Sequence, residues 1–353
     1  MRKRSAWTVY VAVVDLTYAQ RTERARRQPR RVSQATAPAR PAAMADPGEL
    51  PPLDPRRPPW PGREIVSGGV RLHVRETPGP PDAIPALYVH GLAGSATNWT
   101  DLAAQLAPYA PGMAVDLPGF GRSGPPTSNL YTPNAHADAL LCFLAGLNRP
   151  VHLLGNSMGG AIAVGVAARR PELVRTLTLV SPAMPDRRPD PRRVADPRMV
   201  LAEVPGLGRR AARALAALTP RERVEQMIRL CFADPSSVPE HRIAEAVEEV
   251  TERGGQAWAA EALWHTAHGM IKGWFVRPSL WAVLAAVTAP TLVVWGGRDR
   301  LVSPKLAART ARTPPRGRLL RLPDVGHVAQ IERPVTVARA VLALWRAAES
   351  EGG

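Results

Sequence analysis

From Arg63 to Glu349, short apolar runs and amphipathic stretches take turns along this chain. Val70-Arg71-Leu72-His73-Val74 alternates apolar and polar side chains with the period of two expected of a strand. The apolar run Ala86-Leu87-Tyr88-Val89 reads as a buried strand. A helical pattern near 98–107 follows, then a strand at 112–117, a helix near 132–147, a strand at 151–155, a helix at 158–169 and a strand at 176–181. Alternating strands and helices predict an α/β fold, a mostly parallel, doubly wound sheet with helices on both faces. After Val180-Ser181-Pro182 the rhythm stops. Residues 183–286 read as helical or irregular, with helical runs near 207–218, 220–231, 240–253 and 256–275, and the sheet resumes at Thr291. The pattern therefore divides the chain into a core of 63–182 and 287–349, a helical insertion of 183–286 after the sixth core strand, and a leading segment of 1–62.

The leading segment reads differently. Residues 1–43 carry basic runs such as Arg2-Lys3-Arg4 and lack a sustained period, and residues 45–62 are rich in proline, which removes backbone donors and blocks regular elements. Disorder is expected over 1–62, or a true start at Met44. The apolar stretch Ala6–Val14 behind a basic start has some likeness to a signal peptide or a short interfacial helix. Asp15 interrupts it and no small-x-small cleavage site follows, so a cytoplasmic protein is expected.

The net charge of +16 over 353 residues would point to nucleic acid or an anionic membrane. About half of the excess lies in residues 1–43, and no zinc-finger spacing or interleaved aromatic and basic stripe is present, so nucleic-acid recognition is not expected. What remains is compatible with weak contact between the basic N-terminus and an anionic membrane. No apolar run reaches transmembrane length. Cys142 and Cys231 read as small buried hydrophobes rather than a disulfide framework. The oligomeric state is not readable.

The chemistry is concentrated in three loops. Gly155-Asn156-Ser157-Met158-Gly159-Gly160 joins a strand to a helix, and a serine between glycines at such a turn is a nucleophile elbow. The turn forces the serine into a strained conformation, and side chains at 155 and 159 would collide with the adjoining strand and helix. Serine is a weak nucleophile without an adjacent base. Asp299 follows the strand beginning at Thr291, and His327 follows Arg318-Leu319-Leu320-Arg321-Leu322, so both lie at strand ends that share one edge of a parallel sheet. Asp186, shortly after strand 176–181, is a rival for the acid. The loop His90-Gly91-Leu92-Ala93-Gly94-Ser95 follows the strand at 86–89. An oxyanion hole is expected from the backbone N–H groups of Met158 and Leu92.

The stretches HGLAGSATNW at 90–99, DLPGFGRS at 116–123, GNSMGG at 155–160, GGRDRLVS at 296–303 and GHVAQIERP at 326–334 together resemble the α/β-hydrolase-fold family, of the single-cap serine-hydrolase kind. The resemblance runs from about Arg63 to Glu349. It implies that 183–286 is a cap, that Ser157, Asp299 and His327 form the triad, and that no cofactor or metal is needed. Ser157 also sets the chain apart from haloalkane dehalogenases and epoxide hydrolases, which carry Asp at that position.

In the cap, Trp264, Trp274 and Phe275, with Val328 beside the histidine, are candidate substrate contacts. Packing among cap helices explains the aromatics equally well. His265 and His268 lack a third ligand, and Glu245, Glu248, Glu249 and Glu252 read as a solvated helix face. The expected function is an esterase or lipase-like serine hydrolase acting on a small-molecule ester or acyl substrate. Alternatives are a carbon–carbon bond hydrolase of the meta-cleavage-product type, whose members usually carry Trp where this chain has Val328, a lactonase or cofactor-free perhydrolase, and a small-molecule receptor on the same fold.

Overall fold

A computed structural model of the protein describes residues 38–186 and 218–351. Eight strands form one sheet: β1 (Gly62–Ser67), β2 (Val70–Thr77), β3 (Ala86–Val89), β4 (Gly112–Val115), β5 (Val151–Asn156), β6 (Val174–Val180), β7 (Thr291–Gly296) and β8 (Gly317–Leu322). Their order is β1-β2-β4-β3-β5-β6-β7-β8. β1 and β4 pair antiparallel to β2, and every other pairing is parallel. The expected doubly wound α/β sheet is therefore the observed one.

The strands read as nearly continuous apolar runs because both faces are covered. Alternate residues enter two clusters. Leu87, Val89, Leu153, Leu177, Leu179, Val293 and Trp295 join one cluster; Ala86, Tyr88, Leu154, Val180, Leu292 and Val294 join the other. Helices α2 (Pro133–Leu147), α3 (Met158–Arg169), α7 (Leu280–Ala285) and α8 (Ala307–Arg312) contribute to the first. Helices α1 (Thr100–Leu106) and α10 (Pro334–Ser350) contribute to the second. Each fully buried Leu or Val contributes roughly 1.5–3 kcal/mol. The described part of the insertion is helical: α4 (Pro220–Cys231), α5 (Glu240–Gly254), α6 (Ala259–Gly273) and α7. The helix expected at 207–218 lies outside the described residues but for its last position.

Two expectations fail here. The first concerns the lead-in. Residues 38–62 are docked on the core rather than disordered. Pro41 bridges to Leu319, with Ala42 N–H donating to Leu319 O at 2.9 Å and Leu319 N–H to Arg40 O at 2.8 Å, so the segment satisfies the free edge of β8. Ala45 and Leu50 are buried in the second cluster, Pro47–Glu49 forms a 3-10 turn capped by Asp46, and the Trp60 indole donates to Thr100 O at 3.0 Å. Proline excluded helix and ladder, but it did not prevent docking through carbonyls and side chains. The second concerns Gly62–Ser67, for which no strand is expected. It forms the edge strand β1, turned by Gly68 and Gly69 at φ 58° and 80°, a two-residue hairpin loop that glycine supplies without strain. Its charges and exposed Val66 hid the strand period.

Strand order reverses at β3, which lies between β4 and β5. The loops after β3 and β5 therefore diverge from neighbouring strand ends, the crevice where such sheets place ligands. The loops after β6, β7 and β8 leave the same edge.

Candidate active site

β5 delivers the elbow to that edge. Ser157 has φ 53° and ψ −116°, a conformation that turns normally reserve for glycine. The turn is held by Ser157 N–H donating to Val180 O and Ala183 N–H donating to Ser157 O, both at 2.9 Å. A Cβ on Gly155 would lie 2.4 Å from Gly159 O, and one on Gly159 would lie 2.3 Å from Val89 O. The two glycines are thus what let strand, turn and helix close on one another.

His327 and Asp299 meet in the structure. His327 Nδ1 lies 2.9 Å from Asp299 Oδ2, and both side chains are buried. Asp299 Oδ1 accepts the N–H groups of Leu301 and Val302, each at 2.9 Å. Burial pushes the Asp299 carboxyl up. The charge and hydrogen bond of His327 and the two backbone donors outweigh burial and hold it below the usual carboxylate range. The histidine loop is tied to the elbow through Asn156, whose side-chain amide donates to Val180 O at 3.1 Å and His327 O at 3.2 Å. Among the described residues no hydrogen bond joins the Ser157 hydroxyl to His327 Nε2, a contact that commonly closes only with substrate bound.

The loop after β3 passes against the elbow. A Cβ on Gly91 would lie 3.1 Å from Asn156 Oδ1 and 3.3 Å from Ser157 Cβ. The N–H groups of Leu92 and Met158 donate to no described residue, and they flank the serine on the chain and across the crevice. Asp116 braces this loop, a role the sequence reading did not assign. Its carboxylate accepts Ala96 N–H at 2.7 Å, Arg122 N–H at 2.9 Å and His73 Nδ1 at 3.0 Å. His90 accepts Leu117 N–H at Nε2, so its own proton sits on Nδ1 and reaches Gly91 O at 2.7 Å. Burial pushes the His90 pKa down and keeps the ring neutral.

Residues 85–334 match the profile described as the alpha/beta hydrolase fold. The chain belongs to the alpha/beta hydrolase fold family. It is similar to Lipase 3 of Moraxella sp. (28% identical; 70% of this chain, 73% of that one). It is also similar to the dihydrolipoyllysine-residue acetyltransferase component of the acetoin cleaving system of Pseudomonas putida, 30% identical over 74% of this chain. The chain spans 63% of the length of that component. Among solved structures, a protein of Acinetobacter baumannii described as a putative lipase superposes with a TM-score of 0.68 at 21% identity, over 82% of this chain and 92% of that one. Lipases and an acetyltransferase component thus stand among its relatives.

The rest of the expected site residues are less gathered. Asp186 is half-buried after β6, while the histidine's Nδ1 is turned to Asp299. Val328 is buried next to His327. Trp274 is half-buried, whereas Trp264 is 41% and Phe275 82% exposed. His268 lies against the Trp264 ring at 4.5 Å, and His265 pairs with Glu261 at 3.7 Å.

The glutamate face of α5 is corrected by the structure. Glu249 accepts the hydroxyls of Ser95 at 2.9 Å and Thr97 at 3.1 Å, and Glu252 receives a bidentate bond from Arg122 at 2.9 Å. These carboxylates fasten the insertion to the loops after β3 and β4 instead of facing only water. No helix among the described residues is long and apolar enough to cross a membrane.

Proposed function

We propose that the protein hydrolyses carboxylic esters of small molecules through Ser157, His327 and Asp299, with residues 183–286 as a cap over a core of 63–182 and 287–349. The observation that carries this reading is the buried 2.9 Å pairing of His327 Nδ1 with Asp299, on a loop that Asn156, the residue beside the serine, holds by its bond to His327 O. His327 Nε2 takes the Ser157 proton as the hydroxyl attacks the ester carbonyl. Asp299 holds the imidazole in the tautomer that accepts at Nε2 and stabilises its protonated form. The N–H groups of Met158 and Leu92, with the N-terminus of α3, receive the oxyanion. His327 protonates the leaving alcohol, an acyl group remains on Ser157, and water attacks it by the same route to release the acid. Lipases among the relatives support an ester as substrate. The chemistry uses side chains and water, and the protein acts in the cytoplasm.

A second reading has a specific basis. The chain is 27% identical to a 2-hydroxy-6-oxononadienedioate/2-hydroxy-6-oxononatrienedioate hydrolase of Pseudomonas putida, over 72% of this chain and 85% of that one. Carbon–carbon cleavage of a dienone acid would use the same triad. Val328, where that group usually carries Trp, favours the ester.

The test is a panel of p-nitrophenyl esters, lactones and dienone acids, with labelling by a fluorophosphonate. Steady turnover of esters and labelling of Ser157 are expected. Ser157→Ala should abolish labelling and lower turnover by about a thousandfold or more. Equal labelling of both proteins sinks the assignment, and turnover of dienone acids alone selects the second reading.

A further inference from the structure

The C-terminus of α4, in the insertion, is bonded to the backbone of the histidine loop. Cys231 O accepts the N–H of His327 itself at 2.6 Å. One turn of chain later, the helix α9 (Ala329–Glu332) ends on Glu332, whose carboxylate is shared between the two parts of the molecule. Its Oε1 accepts Gly326 N–H at 2.7 Å, and its Oε2 accepts Ala233 N–H at 2.9 Å. Hydrogen bonds to a carboxylate are roughly twice as strong as neutral ones, and two on one group fix its orientation. The approach is close enough to require glycine at 326. A Cβ there would lie 2.3 Å from Cys231 O and 2.9 Å from Glu332 Oε1. On the other side the loop is pressed onto the end of β7, where a Cβ on Gly296 would meet Val325 O at 2.3 Å. The acid loop leans on the same helix end, since Arg300 donates to Arg229 O at 2.7 Å.

His327 therefore has two supports of different origin. Its ring is held from the core by Asp299. Its backbone is held from the insertion by Cys231 O, directly, and by Ala233 through Glu332 and Gly326. We propose that Glu332 is a positioning residue that couples the insertion to His327, so that the imidazole is aligned for Ser157 only while residues 231–233 are seated on the histidine loop. The inference rests on His327 as the base of the proposed reaction. Its consequence is specific. Substrate enters the crevice between the insertion and the sheet edge, and an insertion that lifts would release both carboxylate bonds and the Cys231 bond together. The coupling then acts on the rate of proton transfer rather than on substrate affinity.

Two full-length variants test it. In Glu332→Gln the amide retains one acceptor and sets its NH2 against the remaining backbone N–H, so one of the two bonds is lost. In Ala233→Pro the glutamate is kept, while the donor from the insertion is lost and the ring carbon that takes its place pushes on Glu332 Oε2. Phe232 already has φ −91° and ψ 143°, the extended conformation that a residue before proline needs. Both variants should lower kcat on a p-nitrophenyl ester by about tenfold to a hundredfold, the effect of a small misplacement of a catalytic group. KM should stay within about twofold, because no substrate contact is removed.

The proton between His327 Nδ1 and Asp299 gives a downfield NMR resonance that can be followed without substrate. It should shift or broaden in both variants. A folded Ala233→Pro protein with unchanged kcat and an unchanged resonance overturns the proposal, as does a loss confined to KM. If the parent protein turns over no ester, the ester reading fails. The resonance then still decides whether the insertion is coupled to His327.

Discussion

Ser157 stores strain, and glycine should release it. At φ 53° and ψ −116° the serine occupies the conformation that type II′ turns give to glycine at their first central position. A side chain held there costs about 1–3 kcal/mol. Ser157→Ala keeps a Cβ and so keeps the strain. Ser157→Gly removes the Cβ, but it gives the unfolded chain more freedom, which costs roughly 0.5–1 kcal/mol. The glycine variant should therefore exceed the alanine variant in stability by about 1 kcal/mol at the centre of these ranges, which combine strain relief and chain entropy. For a chain of this size that is a rise in melting temperature of about 2 °C, at the low end of the scaling for large domains. Both variants lack the hydroxyl, so both should be inactive on esters. Calorimetric melts of parent, Ala and Gly proteins at neutral pH measure the difference directly. The backbone at Ser157 is fixed by the bonds of its N–H to Val180 and its C=O to Ala183, so neither substitution should move the turn. A glycine variant that melts at or below the alanine variant refutes the reasoning, because the turn would then hold no strain for glycine to relieve.

Two further outcomes follow from the same bonds and burials. A chain starting at Met44 loses the two backbone bonds of Arg40 and Ala42 to Leu319, about 1 kcal/mol each, and should melt a few degrees lower. A chain starting at Gly62 also loses buried Ala45 and Leu50 and should melt far lower; equal melting of all three would show that the docked segment contributes nothing. Acid should destabilise the fold through His136 and His152, whose pKa values burial pushes down to about 3. A depressed pKa gives stability that is present above the ordinary value of 6.5 and lost as pH falls toward the folded one, at about 1.4 kcal/mol per pH unit for each ring. Urea melts at pH 7, 5 and 4 should show a shallower decline for His136→Gln with His152→Gln, and identical slopes would rule these rings out.

The loops of the proposed triad are readable because each announces itself within a few residues. A glycine two positions before and after Ser157, and an apolar strand before Asp299 and before His327, are local patterns whose meaning needs no partner. The contacts that hold those loops are of another kind. Glu249 lies 154 residues from Ser95, and Ala233 lies 99 residues from Glu332. Nothing in the helical period of α5 separates a glutamate aimed at a core loop from one aimed at water, since Glu248 and Glu249 adjoin in sequence and only Glu248 is exposed. Period reports which face of a helix is apolar, and it assumes that the apolar face is the buried one. In α6 that assumption fails: Ala262 and Thr266 are buried, while Trp264 and Ile271 are exposed on the other side. An inserted segment that rests on loops meets polar backbone and short hydroxyl side chains, so its inner face is written in Glu, Arg and Gln. Hydrophobic patterning finds the sheet, whose faces are apolar, and it misreads the parts that lie across the strand ends, where the proposed chemistry lies.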